Sequence, residues 1–135
     1  MGVRHVGVAV GPGIYAPLVD LEDRVGPLRA PVVALVDSGA DLTQVPANLL
    51  TSLGIDYAAL PVVGSGMGAG SSFEIRRCEA ELWFERWKIC DRFLVSPAGN
   101  SPFAMTGRYD FFQRFTVFFD WSRRPPIFDL TPVSK

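Results

Sequence analysis

The apolar residues of this chain come in short runs that glycine or proline repeatedly interrupts. The runs cover 16–21, 31–36, 60–63, 78–84, 89–95 and 115–119, in a chain that holds 13 glycines and 11 prolines. Neither residue suits the interior of a long helix, since glycine loses the most backbone freedom on folding and proline has no N–H to donate. Short apolar runs bounded by such residues match strands and their turns, so the spacing predicts an all-β sandwich or barrel. Two segments carry helical spacing instead, 45–53, which stops at Gly54, and 108–115, each about two turns long. At 135 residues, 48% of them hydrophobic and 20% charged, the chain can bury one sizeable core. All ten Phe and three Trp lie at or after Phe73. Neither half alone is long enough for a comfortable core, so we read 1–135 as one domain, with 1–15 and 122–135 peripheral or extended.

Between Phe73 and Trp87 the pattern changes phase. Cys78, Ala80, Leu82 and Phe84 alternate with Glu79, Glu81, Trp83 and Glu85, while Phe73 and Ile75 alternate in the opposite phase. This predicts two strand pieces with a bulge or bend near Arg76-Arg77, a tight turn at Glu85-Arg86 and a return strand through Cys90. In that register Cys78 and Cys90 face opposite sides, which predicts two free thiols rather than a disulfide.

Composition excludes several chemistries. One His (His5), near an N-terminus expected to be mobile, and two Cys leave no set for a structural zinc site, no HExxH and no C-x-x-C. Thirteen Lys and Arg against 14 Asp and Glu, a net charge of −1, offer no electrostatic footprint for nucleic acid. No apolar run approaches the length of a membrane span, and the glycine-broken N-terminal stretch is too brief for a signal peptide. With two Cys too few for a disulfide scaffold, a cytoplasmic protein is expected. What remains is chemistry done by carboxylates.

One motif points to such chemistry. The run Pro31-Val-Val-Ala-Leu-Val36 delivers Asp37-Ser38-Gly39-Ala40 at the end of a strand, followed by Asp41. An ordinary turn leaving a strand has the same composition. The apolar run before it, however, sets Asp37 against the core rather than on an outer loop.

With this motif the sequence resembles the retropepsin-like aspartic proteases, the single-domain relatives of pepsin. Two further features in the right order carry the resemblance: the glycine-rich Val62-Val63-Gly64-Ser65-Gly66-Met67-Gly68-Ala69-Gly70, about 25 residues later, and Phe103-Ala104-Met105-Thr106-Gly107-Arg108. It spans about 17–120 and implies an acid-protease barrel, closed or partly open, with a flap hairpin and one or two short helices. It also implies an aspartic endopeptidase without metal or cofactor, acting on polypeptides. An aspartic site needs two carboxylates close enough to share one proton. With one such motif in the chain, the second carboxylate comes from a second copy, so the resemblance implies a homodimer with Asp37 as catalytic residue. By the same resemblance Ser38 hydrogen-bonds across the dimer, Gly39 and Ala40 support the loop, and Asp41 contacts substrate backbone. Arg108 braces the loop by pairing with Asp41, and Val63, Gly64, Gly66, Met67, Gly68 and Met105 line the cleft. The sequence departs from the family's third motif at Thr106 and Tyr109, with Asp110 standing one place beyond the usual Asn or Asp.

Two other readings stand beside this one. Gly64-x-Gly66-x-x-Ala69 formally fits a dinucleotide fingerprint, but the alternating Ser71-Ser72-Phe73-Glu74-Ile75 follows where a helix should open. A catalytically silent binding or assembly module of the same fold would be marked by loss of Asp37, which is present. The aromatic group Phe111, Phe112, Phe115, Phe118, Phe119 and Trp121 is spaced as core, part of it available to a dimer interface.

Overall fold

A computed structural model describes residues 2–68, 70–99 and 101–133. The chain begins with β1 (Val3–Val6), β2 (Val8–Gly11) and β3 (Ile14–Ala16), then the long hairpin β4 (Leu18–Val25) and β5 (Leu28–Leu35). Short β6 (Gln44–Pro46) precedes a second hairpin, β7 (Val62–Gly68) and β8 (Ser71–Cys78). There follow β9 (Glu81–Phe84), β10 (Trp87–Cys90), β11 (Phe93–Ser96), β12 (Ala104–Met105), α1 (Phe111–Arg114), β13 (Phe115–Asp120) and β14 (Ile127–Pro132).

Nine strands form one sheet in the order β10-β9-β4-β5-β12-β6-β11-β8-β7. Its inward positions follow the period of two in the sequence: Val19 and Leu21 on β4, Ala30, Val32 and Ala34 on β5, and Leu82 and Phe84 on β9 are all buried. Val45, Leu50, Phe93 and Val95 join them in one core. A separate sheet, β1-β14-β13, covers this core with Phe115, Phe128 and Leu130. Phe84, Phe111 and Phe115 meet there, with Phe84 edge-on to Phe115 at 5.5 Å between ring centroids.

Five local expectations are corrected. Residues 45–53 are not an α-helix: β6 ends at Pro46 and two 3-10 turns follow at Ala47–Leu49 and Thr51–Leu53, with no side-chain cap at either. Gly54 stops the second in the left-handed region, at φ 72°. The helix over 108–115 shrinks to the single turn α1: Arg108 and Tyr109 lie along the loop, their N–H groups bonded to carbonyls of residues 40 and 41, the Asp110 carboxylate caps the turn, and β13 begins at Phe115. The phase change near Arg76 arises where β8 leaves β7 for β11, and the bulged residue is Val63 on β7, while the break in the strand falls at Glu79-Ala80. The tail, expected to be peripheral or extended, is extended but not peripheral, since β14 is the central strand of its sheet and Phe128 is fully buried. β13 ends at Asp120, ahead of Pro125 and Pro126, and the chain then turns back to pair with it as β14, burying its own apolar residues. His5, expected in a mobile segment, sits on β1 with its ring stacked on Phe128 at 5.1 Å.

Glu85 takes a positive φ of 52° in the β9–β10 turn. Cys78 and Cys90 are free, and burial pushes their thiols up to about 11 and about 12, which keeps both protonated. Among the described residues no helix is long and apolar enough to cross a membrane.

Candidate active site

Asp37 follows β5 by two residues, and the path of the chain there is unusual. β12 runs parallel to β5, pairing Ala104 with Ala34 and Met105 with Leu35, and antiparallel to β6, pairing Met105 with Gln44. To get from β5 to β6 the loop 36–43 must therefore pass over the end of a strand inserted between them. The residues after β12 tie it down. Thr106 N–H donates to Leu35 O at 3.0 Å, Arg108 N–H to Ala40 O at 2.9 Å and Tyr109 N–H to Asp41 O at 2.9 Å. Gly107 lies under the loop with no room for a side chain, since a Cβ there would come within 2.4 Å of Leu42 Cα.

Within the loop, Asp37 is half-buried and Ser38 and Gly39 are exposed. Gly39 N–H donates to Asp37 Oδ1 at 2.8 Å, and a Cβ on Gly39 would stand 3.2 Å from that oxygen. The donated hydrogen bond orients the carboxylate and leaves its other oxygen unclaimed by the loop. Asp37 N–H donates to Thr106 Oγ1 at 3.3 Å, while that hydroxyl donates to Leu35 O at 3.2 Å. Ala40 N–H closes the turn onto Asp37 O at 3.3 Å. The Arg108 guanidinium pairs with Asp41 Oδ1, both side chains being largely exposed. Loop and brace thus meet as expected, with Met105 beneath them on β12.

Sequence reasoning missed a second layer of support. Asp110, 8% exposed, accepts at Oδ1 from Phe111 N–H (2.7 Å), Gly107 N–H (3.2 Å) and Thr43 Oγ1 (2.8 Å), and at Oδ2 from Thr43 N–H (2.9 Å). It caps α1 and ties that turn to the far end of the loop in one network. An acidic residue just before a helical apolar run is the signal that could have found it. Tyr109, the other departure, is 66% exposed.

The glycine-rich segment is the β7–β8 hairpin at the edge of the sheet. Gly64-x-Gly66 lies within strand β7 and β8 follows, so the strand-to-helix turn of a dinucleotide site is absent. Ala69 lies outside the described residues. Val63 and Gly64, at the foot of the hairpin, share a groove with Leu42 beside the loop. Gly66, Met67 and Gly68 belong to its distal half, where Met67 is 77% exposed. Among the described residues no three His, Cys, Asp or Glu are placed to hold a metal ion.

No family model and no curated protein matches this sequence. Among solved structures the chain is similar to a retropepsin-like aspartic protease from Rickettsia conorii, with a TM-score of 0.62, 13% identity and coverage of 93% of this chain and 98% of that one. The likeness is one of fold: this chain has a retropepsin-like all-β fold.

Proposed function

We propose that this protein is an aspartic endopeptidase that acts as a homodimer, with Asp37 from each of two copies forming one site. The observation that carries the proposal is the Asp37 loop: a carboxylate at a strand end, oriented by Gly39 N–H and held from below by Thr106, Gly107 and Arg108. A single carboxylate exposed to water is a poor catalyst of amide hydrolysis. Two brought face to face on a two-fold axis share one proton, because both cannot ionise at close range. The ionised one takes a proton from a water held between them, and the oxygen attacks the peptide carbonyl carbon. The protonated one gives its proton to the carbonyl oxygen, forming a tetrahedral diol. Collapse of the diol breaks the C–N bond as the amine nitrogen takes up a proton from the dyad.

The exposed faces of Phe118 (61%) and Phe119 (39%), on a strand at the edge of its sheet, supply apolar surface for a second copy. The β7–β8 hairpin, glycine-rich and on an edge, is suited to close over a bound peptide. Cleavage of a peptide library at mildly acidic and at neutral pH, with Asp37→Asn as control, tests the reading. Cleavage by the wild type, lost in the variant, supports it. No cleavage by a protein that sedimentation shows to be dimeric assigns the fold to a binding module instead, and equal cleavage by the variant puts the site elsewhere.

A further inference from the structure

The groove between the foot of the β7–β8 hairpin and the loop after Asp41 has a lining that is part apolar and part cationic. Leu42, Val63, Ile75 and Leu94 supply the apolar part, and Arg77 and Arg92 supply the charge. No carboxylate lines it among the described residues. The same two arginines also border a larger cavity of about 610 Å³ on the side of α1, to which Arg114 contributes a third cation.

The acids around that cavity are already engaged. Asp91 pairs with Lys88 at 2.8 Å, Glu79 lies 3.0 Å from Arg77 Nε, and Asp110 is saturated by the four donors described above. The guanidinium groups of Arg92 and Arg114, by contrast, have no hydrogen-bond or ion-pair partner among the described residues. Arg77 is ion-paired with Glu79 at 3.0 Å, although its buried Nε makes no hydrogen bond, Glu79 lying out of line with the N–H. The Arg92 guanidinium is therefore the one set to receive a carboxylate, which two N–H donors grip in the plane of the group, with Arg77 adding positive charge beside it. The apolar part of the lining accommodates a methylene stem.

We infer that this groove is a substrate subsite selecting an acidic side chain, with Arg92 and Arg77 as the recognising cations, and that glutamate suits it better than aspartate because its longer stem covers the apolar lining. The inference rests on the peptidase reading and adds the substrate class. Because the arginines sit at a solvent-facing rim, discrimination is about tenfold and weakens with salt.

The test uses peptides that differ only by Glu or Gln at one position, scanned along a cleavable sequence. At one position the wild type is expected to cleave the Glu peptide with kcat/KM about tenfold above the Gln peptide, an advantage reduced in high salt. Arg92→Glu is expected to invert the ranking, so that a Lys peptide outruns the Glu peptide. Asp37-dependent cleavage with Glu and Gln equal at every position overturns the subsite and leaves the peptidase standing. If no peptide is cleaved, the peptidase reading fails, and equilibrium binding of the same pairs to the Asp37→Asn protein decides the subsite: tighter Glu binding upholds it, equal binding overturns it.

Discussion

Thr106 hydrogen-bonds with one hydroxyl to both the strand and the loop that it launches, accepting from Asp37 N–H and donating to Leu35 O. It is fully buried, so Thr106→Val leaves an N–H without its partner, at a cost of roughly 1–2 kcal/mol in urea denaturation, with kcat/KM falling further as Asp37 loses its orientation. Unchanged stability and activity would refute this. Gly107 is constrained by space rather than by dihedral angle: Gly107→Ala forces a methyl into the backbone of Leu42 and is expected to destabilise by roughly 3 kcal/mol. Arg108 is a different case, because its partner Asp41 is exposed and the pair adds little to the fold of one chain. Arg108→Lys therefore leaves the melting temperature near wild type while weakening dimerisation or activity, a split visible by comparing thermal melts with sedimentation and kinetics; wild-type values in both sink it. At this scale Asp37, Asp41 and Arg108 were legible from their motif. Thr106 looked like a departure and Asp110 like a residue one place out of register because their partners, Leu35 and Thr43, are 71 and 67 residues away in sequence.

The elements show how far local pattern reaches. The alternation of Cys78, Ala80, Leu82 and Phe84 is the burial pattern found, and the strand run before Asp37 became β5. Helical spacing misled twice, since 3.6-residue periodicity over two turns is too little to fix an α-helix: 47–54 closes instead through local three-residue bonds, and Arg108 and Tyr109 bond to the loop at 40 and 41. The hairpin glycines, alike in sequence, differ in surroundings. A Cβ on Gly64 meets nothing within 4 Å, whereas one on Gly66 comes within 2.8 Å of the Phe73 ring. Neither has a positive φ. Gly64→Ala is expected to stabilise by roughly 0.4–1 kcal/mol through the unfolded chain. Gly66→Ala is expected to destabilise by roughly 1 kcal/mol as Phe73 is displaced. Chemical denaturation of the two variants checks the opposite signs, and a shift in the same direction for both would contradict the packing described.

For the molecule as a whole, Asp23 ties stability to pH. It lies on β4 between Ala30 and Leu82, fully buried, with neither carboxylate oxygen hydrogen-bonded. Desolvation pushes its carboxyl up to about 7, against about 4 in an unfolded chain. Between these values the folded protein keeps a proton that the unfolded chain has lost, so stability falls as pH rises, by at most about 1.4 kcal/mol per unit, and this contribution is flat above the folded value. Urea midpoints measured from pH 4 to 8 are expected to show this decline in the wild type and to lose it in Asp23→Asn; a slope unaltered by the substitution would rule Asp23 out as its source. The sequence by itself determined the strand-rich class, the position of Asp37 at a strand end and the exclusion of His and Cys chemistry, because alternation, glycine and proline stops and residue counts are properties of neighbours along the chain. Only the tertiary structure decided that β12 enters between β5 and β6, that Thr106, Gly107 and Asp110 hold the loop above it, and that Phe128 completes the core from the tail. Each of those depends on a partner distant in sequence, where packing and hydrogen-bond satisfaction choose the neighbour and local pattern carries no trace of the choice.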